Sequence, residues 1–313
     1  MNIFFRRKIL IISLILVFAM GLSGCANDVE GVVARVNDED ITQEEFDVEF
    51  EIYKKTYERQ LGEGALTRVE PDGGTLETEI KEMLLDTLIA ERLIKQDSVA
   101  KEISVTDEEV NERLEDLIDS LGGEEQFAEF LESNSMTREY FTSYTKNDIL
   151  FNKHSEHFIN NVEIDAKEAE DFFNENKEDL IVLKASHILL STEEDGNRVL
   201  QALENGESFE DLVIIESKDS TSAVNGGDLG YIVKGKYAAV PEFEKTIFEL
   251  EVGEISNLVK TDVGFHIIRL DERKDSFEEL KDEISGLLKN QEYANYVKEL
   301  EEKAKITIYM DIM

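Results

Sequence analysis

Lys184-Ala185-Ser186-His187-Ile188-Leu189-Leu190 and Val263-Gly264-Phe265-His266-Ile267-Ile268-Arg269-Leu270 bound one segment of the chain. Each is a short apolar run with a histidine inside it, and each reads as a strand. Between them lie a glycine turn, Asn225-Gly226-Gly227-Asp228-Leu229-Gly230, and the segment VPEFEKTIF at 240–248, where Pro241 suits a first helical turn. The chain has four histidines, and two of them stand at the two ends of this one segment. Burying two imidazoles is costly unless each finds a partner, so the pair marks a candidate site.

Inside the segment, residues 184–191 read as a strand, Asp195-Gly196 as a turn, and the residues up to Leu203 as a helix. A second short helix follows, N-capped by Ser208. Residues 217–230 read as a loop and 241–248 as a helix. Gly253 marks a turn before strands near 256–260 and 264–270. Short strands with helices between them predict an α+β domain on an antiparallel sheet.

Working outward, residues 32–36 read as a strand and 37–40 as a turn. Thr42 with Glu45 forms a capping box for a helix that buries Phe46, Phe50, Tyr53 and Tyr57 on one face and gives way near Gly62. A glycine-rich loop with Pro71 spans 62–74. Residues 76–100 carry a broad apolar stripe of Ile80, Met83, Leu84, Leu88, Ile89 and Leu93. Thr106 with Glu109 opens a third helix, which stops at Gly122-Gly123; further helices are expected at 124–131, 137–160 and 165–176. The aromatic residues Tyr140, Phe141, Tyr144, Phe151 and Phe158 fit either a core or a cradle for unfolded chains. After the central segment, Ser276 with Glu279 opens another helix, carrying Phe277, Leu280, Ile284, Leu287 and Leu288. It lacks a core partner of its own and is expected to pack on the N-terminal helices. The closing run Ile306-Thr307-Ile308-Tyr309 is expected to pair with residues 32–36, which makes the helical domain discontinuous.

The formal net charge of -38 argues against nucleic acid, whose binding needs cationic contacts to phosphate, and against docking on anionic lipid through charge. The N-terminus reads as a targeting signal: Arg6, Arg7 and Lys8 precede an apolar run at 9–20 that is short for a membrane span. Leu22-Ser23-Gly24-Cys25 follows directly, and Cys25 is the single cysteine, so no internal disulfide forms. LSGC in this place resembles a bacterial lipobox. The resemblance implies cleavage before Cys25 and a diacyl anchor there, enough for stable membrane attachment.

The central segment resembles a parvulin-type peptidyl-prolyl cis-trans isomerase domain. The motifs that carry the resemblance are ASHILL, DSTSAVNGGDLG, VPEFEKTIF, GEIS and TDVGFHIIRL, in order over about 85 residues. The flanks, VARVNDEDIT followed by helices and then the last helix with KITIY, are similar to the SurA-like chaperone domain around the parvulin domain of PrsA-type foldase lipoproteins. The expected architecture is α+β: a parvulin-like antiparallel four-stranded sheet with helices, inserted in a mainly α-helical chaperone domain. The expected divisions are a signal peptide at 1–24, a lipid-anchored tether at 25–31, a chaperone domain at 32–180, an isomerase domain at 181–273, and a return to the chaperone domain at 274–313.

By the same resemblance, His187 and His266 are paired imidazoles at the floor of the site, Asp219 takes the position of an Asp or Cys, and Thr261 supports the histidines. Leu229, Phe243, Ala239 and Val240 would line the proline pocket. Gly226-Gly227 is read as a turn that positions Leu229. Two departures stand out: Ala239 where the family commonly has Met or another large apolar residue, and Val263 where a small polar residue often precedes the glycine. The implied function is extracytoplasmic isomerisation and chaperoning of newly secreted polypeptides with Xaa-Pro bonds, on a lipid-anchored protein at a bacterial cell membrane. The alternative is a weakly active or inactive parvulin domain that serves as a peptide-binding module. Such chemistry needs no cofactor, metal or covalent nucleophile. His154 and His157, three apart on a helix with Glu156 between, could suggest a metal site, but no further ligand motif supports one and an exposed helical face is expected; Ser186 faces away from His187 because strand neighbours alternate.

Overall fold

The computed structural model describes residues 29–69 and 73–311. The expected signal peptide, the expected lipid-bearing Cys25, and Pro71 lie outside the described residues. The chain divides into two compact units. One takes the described residues up to Glu156 together with those from Tyr296, and the other is His157–Asn295. These divisions fall inside two helices rather than at 180 and 274.

The first unit starts with β1 (Val32–Val36) and β2 (Glu39–Thr42), paired antiparallel. Residues 39–42, partly assigned to a turn from sequence, continue the ladder. α1 (Gln43–Leu61), α2 (Leu76–Ala100), α3 (Asp107–Leu121), α4 (Glu124–Ser133) and α5 (Arg138–Asn161) follow. Both capping boxes are present: Thr42 with Glu45, and Thr106 with Glu109. Phe46, Phe50, Ile80, Leu84, Leu85 and Ile89 pack under the small sheet. Met83 departs from the expected stripe, being exposed while Leu85 is buried. A second cluster gathers Val110, Leu114, Phe127, Leu131 and Phe141, so Phe141 belongs to a core. The Tyr140 hydroxyl donates to Glu49 at 2.6 Å. Near the chain's end, β7 (Ile306–Ile308) pairs antiparallel with β1, Val36 opposite Ile306 and Ala34 opposite Ile308.

The second unit contains α6 (Ala166–Leu180), β3 (Val182–Leu190), α7 (Glu193–Glu204), α8 (Phe209–Glu216), α9 (Ser220–Ala223), β4 (Asp228–Ile232), α10 (Pro241–Glu249), β5 (Val259–Thr261), β6 (Gly264–Lys274) and the first part of α11 (Phe277–Lys303). Four strands form one antiparallel sheet in the order β4-β3-β6-β5. Both faces of β3 and β6 are covered, which explains their near-continuous apolar runs. On one face Leu183, Ala185, Ile268 and Leu270 pack with Phe243, Ile247 and Leu250 of α10. On the other, Ile188, Leu190 and Ile267 pack with Val199, Phe209, Leu212 and Val213 of α7 and α8. Leu280, Ile284 and Leu288 of α11 pack with Ala169 and Phe173 of α6, while Leu287 is exposed.

Two sequence readings change here. Asp195-Gly196 is not a turn but the first turn of α7. Gly196 is buried there, and a Cβ on it would collide with the Leu258 side chain. The expected loop at 217–230 holds α9 and the start of β4, whose five residues gain their ladder only from distant β3.

Candidate active site

β3 and β6 set the floor of the site by their register. His187 lies opposite Ile268 and Leu189 opposite His266, so the two histidines are diagonal neighbours on one face. That face is the one α10 covers. Both imidazoles are 5 % exposed, and their Nδ1 atoms lie 3.1 Å apart. His187 Nε2 is 2.9 Å from Asp219 Oδ2, and His266 Nε2 is 2.8 Å from the Thr261 hydroxyl.

Asp219 comes from the start of α9, where its side chain accepts the Thr221 N–H at 3.1 Å. The Ser222 hydroxyl donates to Asp219 Oδ2 at 2.6 Å. Ser222, then His187 and the Thr221 N–H, outweigh desolvation and hold the carboxyl down to about 2. Burial first, and then the charge of His187, push His266 down to about 4, with Asp219 acting the other way. Asp219 is therefore an ionised acceptor at neutral pH, and His187 donates to it through Nε2–H. His187 Nδ1 then accepts from His266 Nδ1–H, and His266 Nε2 accepts the Thr261 hydroxyl. Every ring nitrogen is satisfied, which is what makes the buried pair tolerable.

Phe243 closes the apolar side. Its ring meets His266 at 4.8 Å and 65°, and His187 at 6.0 Å and 79°. Leu229 and Val240 are half-buried against the same cluster. Ala239 is exposed and makes no part of it. The large side chain on Phe243 is instead Tyr237, two positions earlier, with ring centroids 5.1 Å apart at 76°. Ser222 and Tyr237 escaped sequence reading. Ser222 carried a signal, standing three residues after a capping Asp. Tyr237 carried none, because only the loop conformation turns it toward Phe243.

Gly227 does more than turn the chain. Its carbonyl oxygen accepts the His187 N–H at 2.9 Å. Its φ is +81°, and a Cβ there would run into the His187 carbonyl oxygen. The glycine thus lets the loop pack onto the backbone of the site histidine. Ser186 points to the opposite face, its hydroxyl 2.7 Å from Asp271 Oδ2. His154 does not lie on an exposed face. It is 1 % exposed, and its Nε2 lies 2.8 Å from Asp97 Oδ2, which also accepts the Tyr296 hydroxyl at 2.7 Å.

Residues 4–155 match the SurA-like N-terminal domain family, and residues 173–274 match the PPIC-type PPIase domain family. The foldase protein PrsA of Caldanaerobacter subterraneus subsp. tengcongensis is 32% identical over 305 residues, 94% of this chain and 92% of the relative. The foldase protein PrsA of Geobacillus kaustophilus is 32% identical over 268 residues, 85% of this chain and 80% of the relative. The crystal structure of PrsA from Bacillus subtilis is 26% identical, covers 89% of this chain and 94% of its own, and aligns with a TM-score of 0.34. The chain belongs to the PrsA foldase family, and its central segment is a peptidyl-prolyl cis-trans isomerase domain of the PPIC type.

Proposed function

We propose that His187, Asp219, His266 and Thr261 form the polar floor of the isomerase site, with Leu229, Val240 and Phe243 as the wall that takes the proline ring. Rotation about an Xaa-Pro amide faces a barrier of about 18–20 kcal/mol because resonance flattens the bond. The twisted transition state has lost that resonance, and its carbonyl is less charge-separated than the planar ground state. A water-poor, apolar slot therefore favours the twisted form over the planar one, and such differential stabilisation is what accelerates the step. The floor supports this assignment. Its imidazole nitrogens are engaged with one another and with Asp219 and Thr261, so they do not draw water toward the ring of Phe243. The observation that carries the reading is the packing of Phe243 edge-on to both imidazoles.

On this reading the clients are newly secreted polypeptides with Xaa-Pro bonds. The mainly helical unit holds them, and the isomerase domain is inserted in its sequence, a reading that the pairing of β7 with β1 supports. The basic, apolar and LSGC segments of the N-terminus support export and lipid attachment at Cys25, on the outer face of a cell membrane. Among the described residues no helix is long and apolar enough to cross a membrane.

Isomerisation of an Xaa-Pro peptide by the full chain and by Phe243→Ala tests the site. Loss of turnover at an unchanged melting temperature is expected. Full turnover by the variant would place the proline slot elsewhere.

A further inference from the structure

Residues 233–240 join β4 to α10, and two charged side chains pin this loop. The Glu244 carboxylate accepts the Gly235 N–H at 3.1 Å and the Tyr237 N–H at 2.7 Å. The Lys236 ammonium donates to the carbonyl oxygens of Leu229 and Tyr231, at 3.0 and 2.7 Å. The Val240 N–H closes a turn on the Tyr237 carbonyl at 2.8 Å. The loop is thus ordered by its own side chains, and what it presents is Tyr237.

The Tyr237 ring stands edge-to-face on Phe243, a favoured aromatic geometry, and belongs to the same apolar cluster as Leu229 and Val240. Its hydroxyl hydrogen-bonds no group among the described residues. Burial, and then the negative charge of Asp219, raise its pKa, so it stays a protonated donor at neutral pH. The floor beneath is different. The nitrogens of His187 and His266 and the hydroxyls of Thr261 and Ser222 are committed to one another and to Asp219. A peptide carbonyl entering the slot finds no unengaged donor among these groups, and Tyr237 supplies one.

We infer that Tyr237 is a substrate-contacting residue: its ring closes the proline slot, and its hydroxyl donates to a backbone carbonyl oxygen of the bound Xaa-Pro segment. The inference rests on the slot lying at Phe243. It accounts for the exposed Ala239 without a widened pocket, since Tyr237 fills the position against Phe243 that a large apolar residue was expected to occupy.

The test compares the full chain with Tyr237→Phe, Tyr237→Ala and Phe243→Ala on one Xaa-Pro peptide, with KM, kcat and thermal unfolding measured for each. Tyr237→Phe is expected to raise KM about three- to tenfold, the worth of one neutral hydrogen bond, with kcat and melting unchanged. Tyr237→Ala is expected to lose kcat/KM well beyond that, because the wall goes with the hydroxyl. If Phe243→Ala loses turnover while Tyr237→Phe keeps wild-type KM and kcat, the inference is overturned and the slot stands. A lowered melting temperature for Tyr237→Phe with unchanged KM also overturns it, since that is a structural role. If Phe243→Ala turns over normally, the slot assignment itself fails.

Discussion

His187 and His266 meet because their strands are offset by one pair: His187 faces Ile268, His266 faces Leu189, and their Nδ1 atoms come to 3.1 Å. A slip of one residue in either strand would send one imidazole to the opposite face, under α7 and α8. The geometry of the histidine pair is thus a property of the β3–β6 register. That register is fixed by apolar side chains on both faces and by Gly227 packing on the His187 backbone.

The pair makes stability depend on acid. The folded pKa of His266, about 4, lies below its ordinary 6.5. Between these values the unfolded chain binds a proton that the folded chain does not. Stability from this residue is therefore full above pH 6.5 and falls as pH drops toward 4, by roughly 3 kcal/mol. Asp219, held at about 2 against 3.8, adds a further loss below pH 3.8. Urea unfolding of wild type and His266→Gln across pH 7 to 4 should show the steeper decline in wild type. Parallel curves would contradict the buried neutral imidazole.

Two glycines should respond differently to alanine. At Gly227 the new Cβ meets backbone, the His187 carbonyl oxygen, at a φ of +81°. Gly227→Ala is expected to cost about 2 kcal/mol or more and to lower turnover, since His187 must move. At Gly196 the new Cβ meets both Cδ atoms and Cγ of Leu258, side chain rather than backbone, and alanine favours the helix by about 1 kcal/mol. Gly196→Ala should change stability by less than about 1 kcal/mol. Equal effects in chemical denaturation would sink this distinction.

The sequence showed what local chemistry controls. Thr42 with Glu45 and Thr106 with Glu109 announced helix starts, because a capping box is written within four residues. The two histidine runs announced strands of one sheet. Features set by distant packing were hidden. β4 is short and gains its hydrogen bonds from a strand some forty residues earlier in the chain. Gly196 is small because Leu258 approaches it. Tyr237 reads as a loop tyrosine until Glu244 and Lys236 fix the loop. His154 sits on a helix with charged neighbours, and its partners, Asp97 and the ring of Tyr296, come from elsewhere in the chain.

That buried histidine yields another prediction. Burial works against ionisation of Asp97, but hydrogen bonds from Tyr296 and His154 outweigh it and keep its pKa below the usual carboxylate value. His154→Leu removes one of these bonds and leaves a partly desolvated carboxylate with fewer donors. A loss of roughly 1–3 kcal/mol is expected in urea unfolding. A change within about 0.5 kcal/mol, as for a surface residue, would contradict the network.

β7 closes the small sheet from the far end of the chain. Its partners are Ala34, Arg35 and Val36, and the Tyr309 and Met310 N–H groups both reach the Val33 carbonyl. Removing residues 306–313 strips that edge of β1 and uncovers the buried Val33 and Val36. Amide exchange in β1 should speed up markedly and the unit containing it should melt earlier. Unchanged protection of Val33 to Val36 would show that β7 adds nothing.

Proline is expected to enter between Phe243 and the histidine floor. The most direct measurement is an NMR titration of the labelled chain with an Xaa-Pro peptide, reading contacts from the proline ring protons. Contacts to Phe243 and Leu229 are expected, with shifts concentrated on His187, His266 and Asp219. Contacts confined to other surfaces, with these five residues unmoved, would contradict it.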